Sequence, residues 1–131
     1  MAKNAAQVYG NNKINSATPA ELTLMLYEGA VKFCNLAMVG LEKSDFESVN
    51  TNIQKARAIV IELTSTLDHK YPVAKDFQNI YDYIFALLVE ANMNKDQEML
   101  TRALDELRDM RDLWKQIMSK AKGPQVVLDT N

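Results

Sequence analysis

The chain has 131 residues, with 15 basic and 17 acidic side chains and a net charge of −2. That length suits one domain able to bury roughly two thirds of its unfolded surface. The near-balanced charge offers neither a basic footprint for nucleic acid nor an acidic solvating tail, and the one cysteine, Cys34, excludes an internal disulfide and fits a reducing compartment.

Residues 1–17 are polar apart from a few apolar positions such as Val8, Tyr9 and Ile14, and Gly10-Asn11-Asn12 interrupts any helix there. This stretch reads as an N-terminal arm, flexible or briefly helical, able to dock its apolar residues elsewhere. With no apolar run after Met1-Ala2-Lys3-Asn4, no signal peptide is expected, and the protein reads as soluble and cytoplasmic. Thr18-Pro19-Ala20-Glu21 then opens a helix: the Thr18 hydroxyl caps it, Pro19 suits the first position, and Glu21 can bond back to the Thr18 amide. A helix over about 19–42 follows. Leu22, Leu26, Gly29, Ala30, Phe33, Ala37 and Leu41 form one stripe, while Leu24, Met25, Val31, Cys34, Met38 and Val39 cover much of the other side. A helix apolar nearly all round belongs in the middle of a bundle. Glu28, Lys32 and Asn35 make it a poor membrane span, and Cys34 within it reads as a small core residue.

Ser44-Asp45-Phe46-Glu47 reads as a second capping box, with Ser44 as the cap, opening a helix over about 45–67 with Val49, Ile53, Ala56, Val60, Leu63 and Leu67 in a stripe that Ile59 widens and Ile61 lies outside. Tyr71-Pro72 marks its end, because the residue before a proline avoids the α region. A third helix, about 73–93, carries the stripe Val73, Phe77, Ile80, Ile84, Leu87 and Ala91, with Tyr81, Phe85 and Leu88 beside it. A fourth, about 96–122, carries Leu100, Ala103, Leu104, Leu107, Trp114, Ile117 and Ala121, and Gly123-Pro124 is expected to stop it. Residues 123–131 form a flexible tail. Four long helices with short connections predict an all-α fold, an antiparallel up-down four-helix bundle. Helices one and three are wider than a single seam. Tight packing explains that width, and so does a groove left open for a partner helix.

Chemistry is scarce. A di-iron bundle needs Glu-x-x-His pairs, and His69 is the single histidine. One Cys and one His cannot build a four-ligand zinc site, so no metal and no cofactor are expected. His69 sits in a proline-terminated loop, where a solvated role suits it better than phosphotransfer in mid-helix. Neither a phosphate-binding loop nor a nucleophile motif is present, and nothing recommends an enzyme.

Several short motifs recur in a fixed order: Tyr9, Ile14 and Thr18-Pro19; Glu21-Leu22 with Met25-Leu26-Tyr27-Glu28-Gly29; Lys55-Ala56-Arg57-Ala58-Ile59 with Glu62-Leu63; Leu67-Asp68; Tyr81-Asp82-Tyr83; Leu88-Val89-Glu90-Ala91-Asn92; and Trp114-Lys115. Each is weak alone, but their order and spacing over nearly the whole chain resemble the FliS family of flagellar secretion chaperones. The resemblance implies a cytoplasmic chaperone that binds the disordered C-terminal segment of flagellin, prevents its premature polymerisation and delivers it to the flagellar export gate. It implies no nucleic-acid partner and no membrane insertion, for a monomer or weak homodimer. Client contacts are expected along helices two, three and four at Ile53, Ala56, Ile59, Val60, Tyr81, Ile84, Phe85 and Leu88, with Tyr9 and Ile14 as a cap over the groove. The competing reading is a helical adaptor, or a structural bundle that pairs with itself through the same apolar strips.

Overall fold

The computed structural model describes residues 16–128, with side chains described up to residue 121. It contains four helices: α1 (Pro19–Glu42), α2 (Phe46–Ser65), α3 (Val73–Asn94) and α4 (Gln97–Leu128). Each helix packs along its sequence neighbour, and α4 returns to α1, so the four close a ring around one core. The short connections make this the antiparallel up-down bundle that the periodicity predicts.

The capping chemistry sets where helices begin. Thr18 Oγ1 accepts from the Glu21 amide at 3.1 Å, and Glu21 Oε1 accepts from the Thr18 amide at 2.9 Å, completing the box. At α2 the cap is Asp45, not Ser44: Asp45 Oδ1 accepts from the Ser48 amide at 3.2 Å, while Ser44 turns the chain in the left-handed region with φ 55°. Asp96 caps α4 through the amides of Glu98 and Met99, at 2.9 and 3.2 Å.

Helix ends depart further from expectation. α2 stops at Ser65, before the predicted residue 67. The hydroxyls of Thr64, Ser65 and Thr66 donate to the carbonyls of Val60, Glu62 and Leu63, offering this turn an alternative to the helical ladder. At the other extreme α4 runs through Gly123-Pro124 to Leu128 instead of stopping near residue 122. Proline removes one amide donor, yet its fixed φ is a helical value. Residues 129–131 of the expected tail lie outside the described residues, as does the arm up to residue 15.

The core draws on all four helices: Leu26, Tyr27, Ala30, Phe33, Cys34 and Ala37 from α1; Val49, Ile53, Ala56, Ile59, Val60 and Leu63 from α2; Tyr81, Ile84, Leu87, Leu88 and Ala91 from α3; Leu100, Ala103, Leu104, Leu107 and Met110 from α4. The width of α1 is spent on two neighbours, α2 and α4, and that of α3 likewise. α1 is also the described helix long and apolar enough to cross a membrane by composition, and 56% of that window is buried within the bundle. Burial pushes the Cys34 thiol up to about 12, so it is a packing residue in this core.

The α1–α2 contact is set by two glycines. A Cβ on Gly29 would lie 3.2 Å from Ile59 Cδ1, the movable end of a side chain. A Cβ on Gly40 would lie 2.9 Å from Val49 Cγ2, 3.2 Å from the Asp45 carbonyl oxygen and 3.3 Å from the Val49 amide nitrogen. Backbone and a stiff β-branched side chain cannot step aside there. Gly40→Ala is expected to lower the unfolding free energy by about 1–3 kcal/mol through overpacking, with Gly29→Ala costing less. Urea midpoints of the two variants check the order.

At the end of the bundle near residues 43–45 and 95–96, a polar cluster ties α2 to α3. Asn92 Nδ2 donates to Asn50 Oδ1 at 2.7 Å, and Lys95 Nζ donates to the Asn92 carbonyl oxygen and Oδ1 at 2.7 and 2.8 Å. These bonds hold the left-handed Lys95, φ 49°, that reverses the chain into α4.

Candidate functional site: an apolar groove at one end of the bundle

The opposite end is less tightly closed. The N-terminal turns of α1 and α3 meet the C-terminal parts of α2 and α4, with the seven-residue connector 66–72 draped between α2 and α3. Helix stripes reach this end with apolar residues that, among the described residues, have no further layer to pack against. The result is an open groove of about 550 Å³, whose walls include Leu22, Leu26, Leu67, Val73, Phe77 and Ile117. Val73 is 53% exposed and the neighbouring Tyr71 58%. Both are rim residues, set there because Pro72 begins α3 beside them.

The floor is a chain of aromatic rings. Trp114 and Tyr27 have ring centroids 6.4 Å apart, Tyr27 and Tyr81 also 6.4 Å, and Tyr81 and Phe77 meet edge-on at 6.2 Å. Trp114 Nε1 donates to the Ala20 carbonyl oxygen at 3.0 Å, which fixes the indole against the first turn of α1. The Tyr27 and Tyr81 hydroxyls hydrogen-bond to each other within the core. Burial raises both phenols above their ordinary range; for Tyr81 the bond from Tyr27 opposes that rise. The floor is therefore rigid, with its polar atoms satisfied internally.

Two ionisable carboxylates line the groove, Glu62 and Asp68. Asp68 lies 3.7 Å from Lys70 at the exposed rim. Glu62 stands half-buried in the wall, and desolvation raises its carboxyl above the usual range. Among the described residues its carboxylate has no hydrogen-bond or ion-pair partner.

A smaller cleft runs between α2 and α3, bordered by Val60, Ile61, Thr64, Ser65, Tyr81, Asp82 and Phe85. It shares Tyr81 with the large groove. Ile61 is 57% exposed there. The Arg57 guanidinium lies 5.1 Å from the centre of the Phe85 ring, and its buried Nε has no hydrogen-bond partner among the described residues.

The structure places the sequence-derived contact residues unevenly. Ile53, Ala56, Ile59, Ile84 and Leu88 are fully buried, since each faces two neighbouring helices in the closed ring. Val60 and Tyr81 are buried at their backs but border the α2–α3 cleft, and Phe85 is half-buried on its edge. The proposed caps Tyr9 and Ile14 lie outside the described residues. Stripe analysis did not single out Leu22, Glu62, Tyr71, Val73, Phe77, Trp114 or Ile117 as a shared surface. The available signal was apolar positions persisting to helix ends, next to a connector with Tyr71 exposed. His69 is exposed, and among the described residues there is no cluster of three His, Cys, Asp or Glu able to hold a metal.

Comparison with known proteins bears on what such a groove serves. The family profile for flagellar protein FliS matches residues 1–121. The flagellar secretion chaperone FliS of Bacillus subtilis (strain 168) is 39% identical over 120 residues, covering 92% of this chain and 90% of the relative. The chaperone of the same name from Salmonella typhimurium is 30% identical over 119 residues, 88% of each chain. That from Campylobacter jejuni is 28% identical over 115 residues, covering 86% and 90%. A match that spans all four helices, at that identity, settles the kinship: this chain belongs to the FliS family of flagellar proteins.

Proposed function

We propose that this protein is a cytoplasmic flagellar export chaperone whose client is the C-terminal segment of flagellin. The observation that carries this reading is the open apolar groove with an aromatic floor, in a chain whose relatives are named flagellar secretion chaperones. An unassembled segment that would bury its apolar face against other flagellin subunits can bury it here instead, laid as an amphipathic helix along a groove. The client follows the α2–α3 cleft over Val60, Ile61, Tyr81 and Phe85 and enters the groove at Val73 and Trp114. The bulk of the bundle is a scaffold that gives this surface its shape before the client arrives. Tyr9 and Ile14 of the N-terminal arm cover the groove when no client is present, and the loaded complex is what the export gate receives.

Because the client orders on binding, the interface is long and its affinity moderate. Calorimetric titration with a synthetic peptide of the flagellin C-terminal segment is expected to give saturable one-to-one binding with a large negative heat-capacity change. Removing residues 1–15 is expected to raise the association rate for that peptide. An absence of binding, with the protein a stable dimer in sedimentation at micromolar concentration, would favour the self-pairing bundle instead.

A further inference from the structure

Glu62 is out of place in the groove, in a way that predicts what the groove accepts. Its carboxylate lines the same groove as the apolar Leu22, Leu26, Phe77 and Trp114. Among the described residues nothing donates to it. No lysine or arginine lines the groove, and Asp68, the other acid there, has Lys70 beside it. The nearby polar groups are also engaged: the Tyr81 hydroxyl with Tyr27, and the Trp114 N–H with Ala20. Among the described residues, the unanswered charge of this surface is thus a single anionic group.

We infer that Glu62 is the specificity-determining residue of the groove, selecting an occupant that carries a lysine or arginine beside its apolar anchors. The inference rests on the client reading above. Any apolar segment seated here strips water from an already desolvated carboxylate, as the upward shift of its titration indicates. A segment without a donor leaves that charge buried and unpaired, which is costly. A segment with an acid at that point adds like-charge repulsion. A lysine or arginine there turns the same burial into a charge-assisted hydrogen bond. Discrimination therefore arises mainly from rejection of wrong segments, and the charge also fixes the register of a helix that apolar contacts alone would let slide.

The experiment is a coupling measurement by calorimetry. The probes are the flagellin C-terminal peptide and variants with each lysine or arginine replaced singly by methionine, against the wild-type protein and Glu62→Gln. One replacement is expected to weaken binding to the wild type on the order of tenfold and to have little effect on Glu62→Gln, as double-mutant cycles at close charge pairs show. Glu62→Gln itself weakens the parent peptide by a similar factor while its urea midpoint stays at the wild-type value, because no partner among the described residues is lost. Equal affinity of the two proteins for the parent peptide, or no replacement whose effect depends on Glu62, would overturn the inference with the client reading intact. Should the flagellin peptide not bind at all, the client reading fails separately. A pair of amphipathic helical peptides differing by Lys or Glu beside the apolar stripe then decides: a preference for the lysine peptide that vanishes in Glu62→Gln upholds the selection rule, and no preference ends it.

Discussion

Tyr27→Ala is expected to bring the protein close to unfolding, with a loss of about 4 kcal/mol or more. Tyr27 is fully buried, and its ring touches Tyr81 of α3 and Trp114 of α4. Three helices therefore meet on one side chain. Deleting it opens a large cavity, for which the usual cost of an aromatic-to-alanine change is about 3–5 kcal/mol. It also strands the Tyr81 hydroxyl, whose partner is the Tyr27 hydroxyl, and an orphaned buried polar group costs about 1–3 kcal/mol. Domains of this size have about 5–15 kcal/mol in total. The two contributions separate in a cycle. Tyr27→Phe keeps the ring and strands the hydroxyl, so it should cost about 1–3 kcal/mol. Adding Tyr81→Phe removes the stranded group and should restore most of that loss. Urea unfolding followed by circular dichroism measures all four proteins. If the double variant is no more stable than the single one, the hydroxyl pair is not what the two rings need.

Val73→Asp is expected to separate binding from folding. Val73 is the first residue of α3 and more than half exposed on the groove rim. A carboxylate in the first turn of a helix is favourable by about 0.3–1 kcal/mol, so the urea midpoint should hold or rise. The same carboxylate would face the apolar side of a seated client and stay unpaired. Affinity for the flagellin peptide should fall about 30-fold, which corresponds to about 2 kcal/mol. Ile61→Asp, on the α2–α3 cleft, should weaken binding in the same direction if less strongly. Met93→Gln, exposed at the opposite end of α3, should leave binding unchanged. Equal affinity of all three variants would remove the client from this face of the bundle.

How far the sequence could be read differs from residue to residue. The start of α1 was legible because the capping box is a local device: Thr18, Pro19 and Glu21 need nothing beyond their own turn. The α2 cap was misplaced by one residue, since Ser44 and Asp45 both have capping side chains and only the turn conformation, with Ser44 at positive φ, assigns the role to Asp45. The third helix carries one stripe through Val73, Phe77, Ile80, Ile84, Leu87 and Ala91 and another through Tyr81, Phe85 and Leu88; the buried face takes Ile84, Leu87 and Ala91 from the first and Tyr81 and Leu88 from the second, and leaves Val73 exposed. Two parallel stripes on one helix look alike in sequence, and which is covered depends on where the neighbours lie. The same ambiguity put Ile53, Ile59 and Leu88 among the candidate contacts. In the bundle they are buried between two flanking helices.

The sequence by itself determined what local chemistry and periodicity can carry. It set four helices, their order, the turns that join them antiparallel and a core drawn from their stripes. The ordered motifs added the family. Only the tertiary structure decided where the bundle is left open. A groove is made by residues from four separate helices, Leu22, Glu62, Val73 and Trp114 among them. No sequence window contains them together. Nor does periodicity distinguish an apolar residue with a next layer to pack against from one at the end of a stripe that has none. That Glu62 has no partner among the described residues belongs to the same class of fact, because a carboxylate on a helix is ordinary in sequence and becomes distinctive only when the walls around it are known.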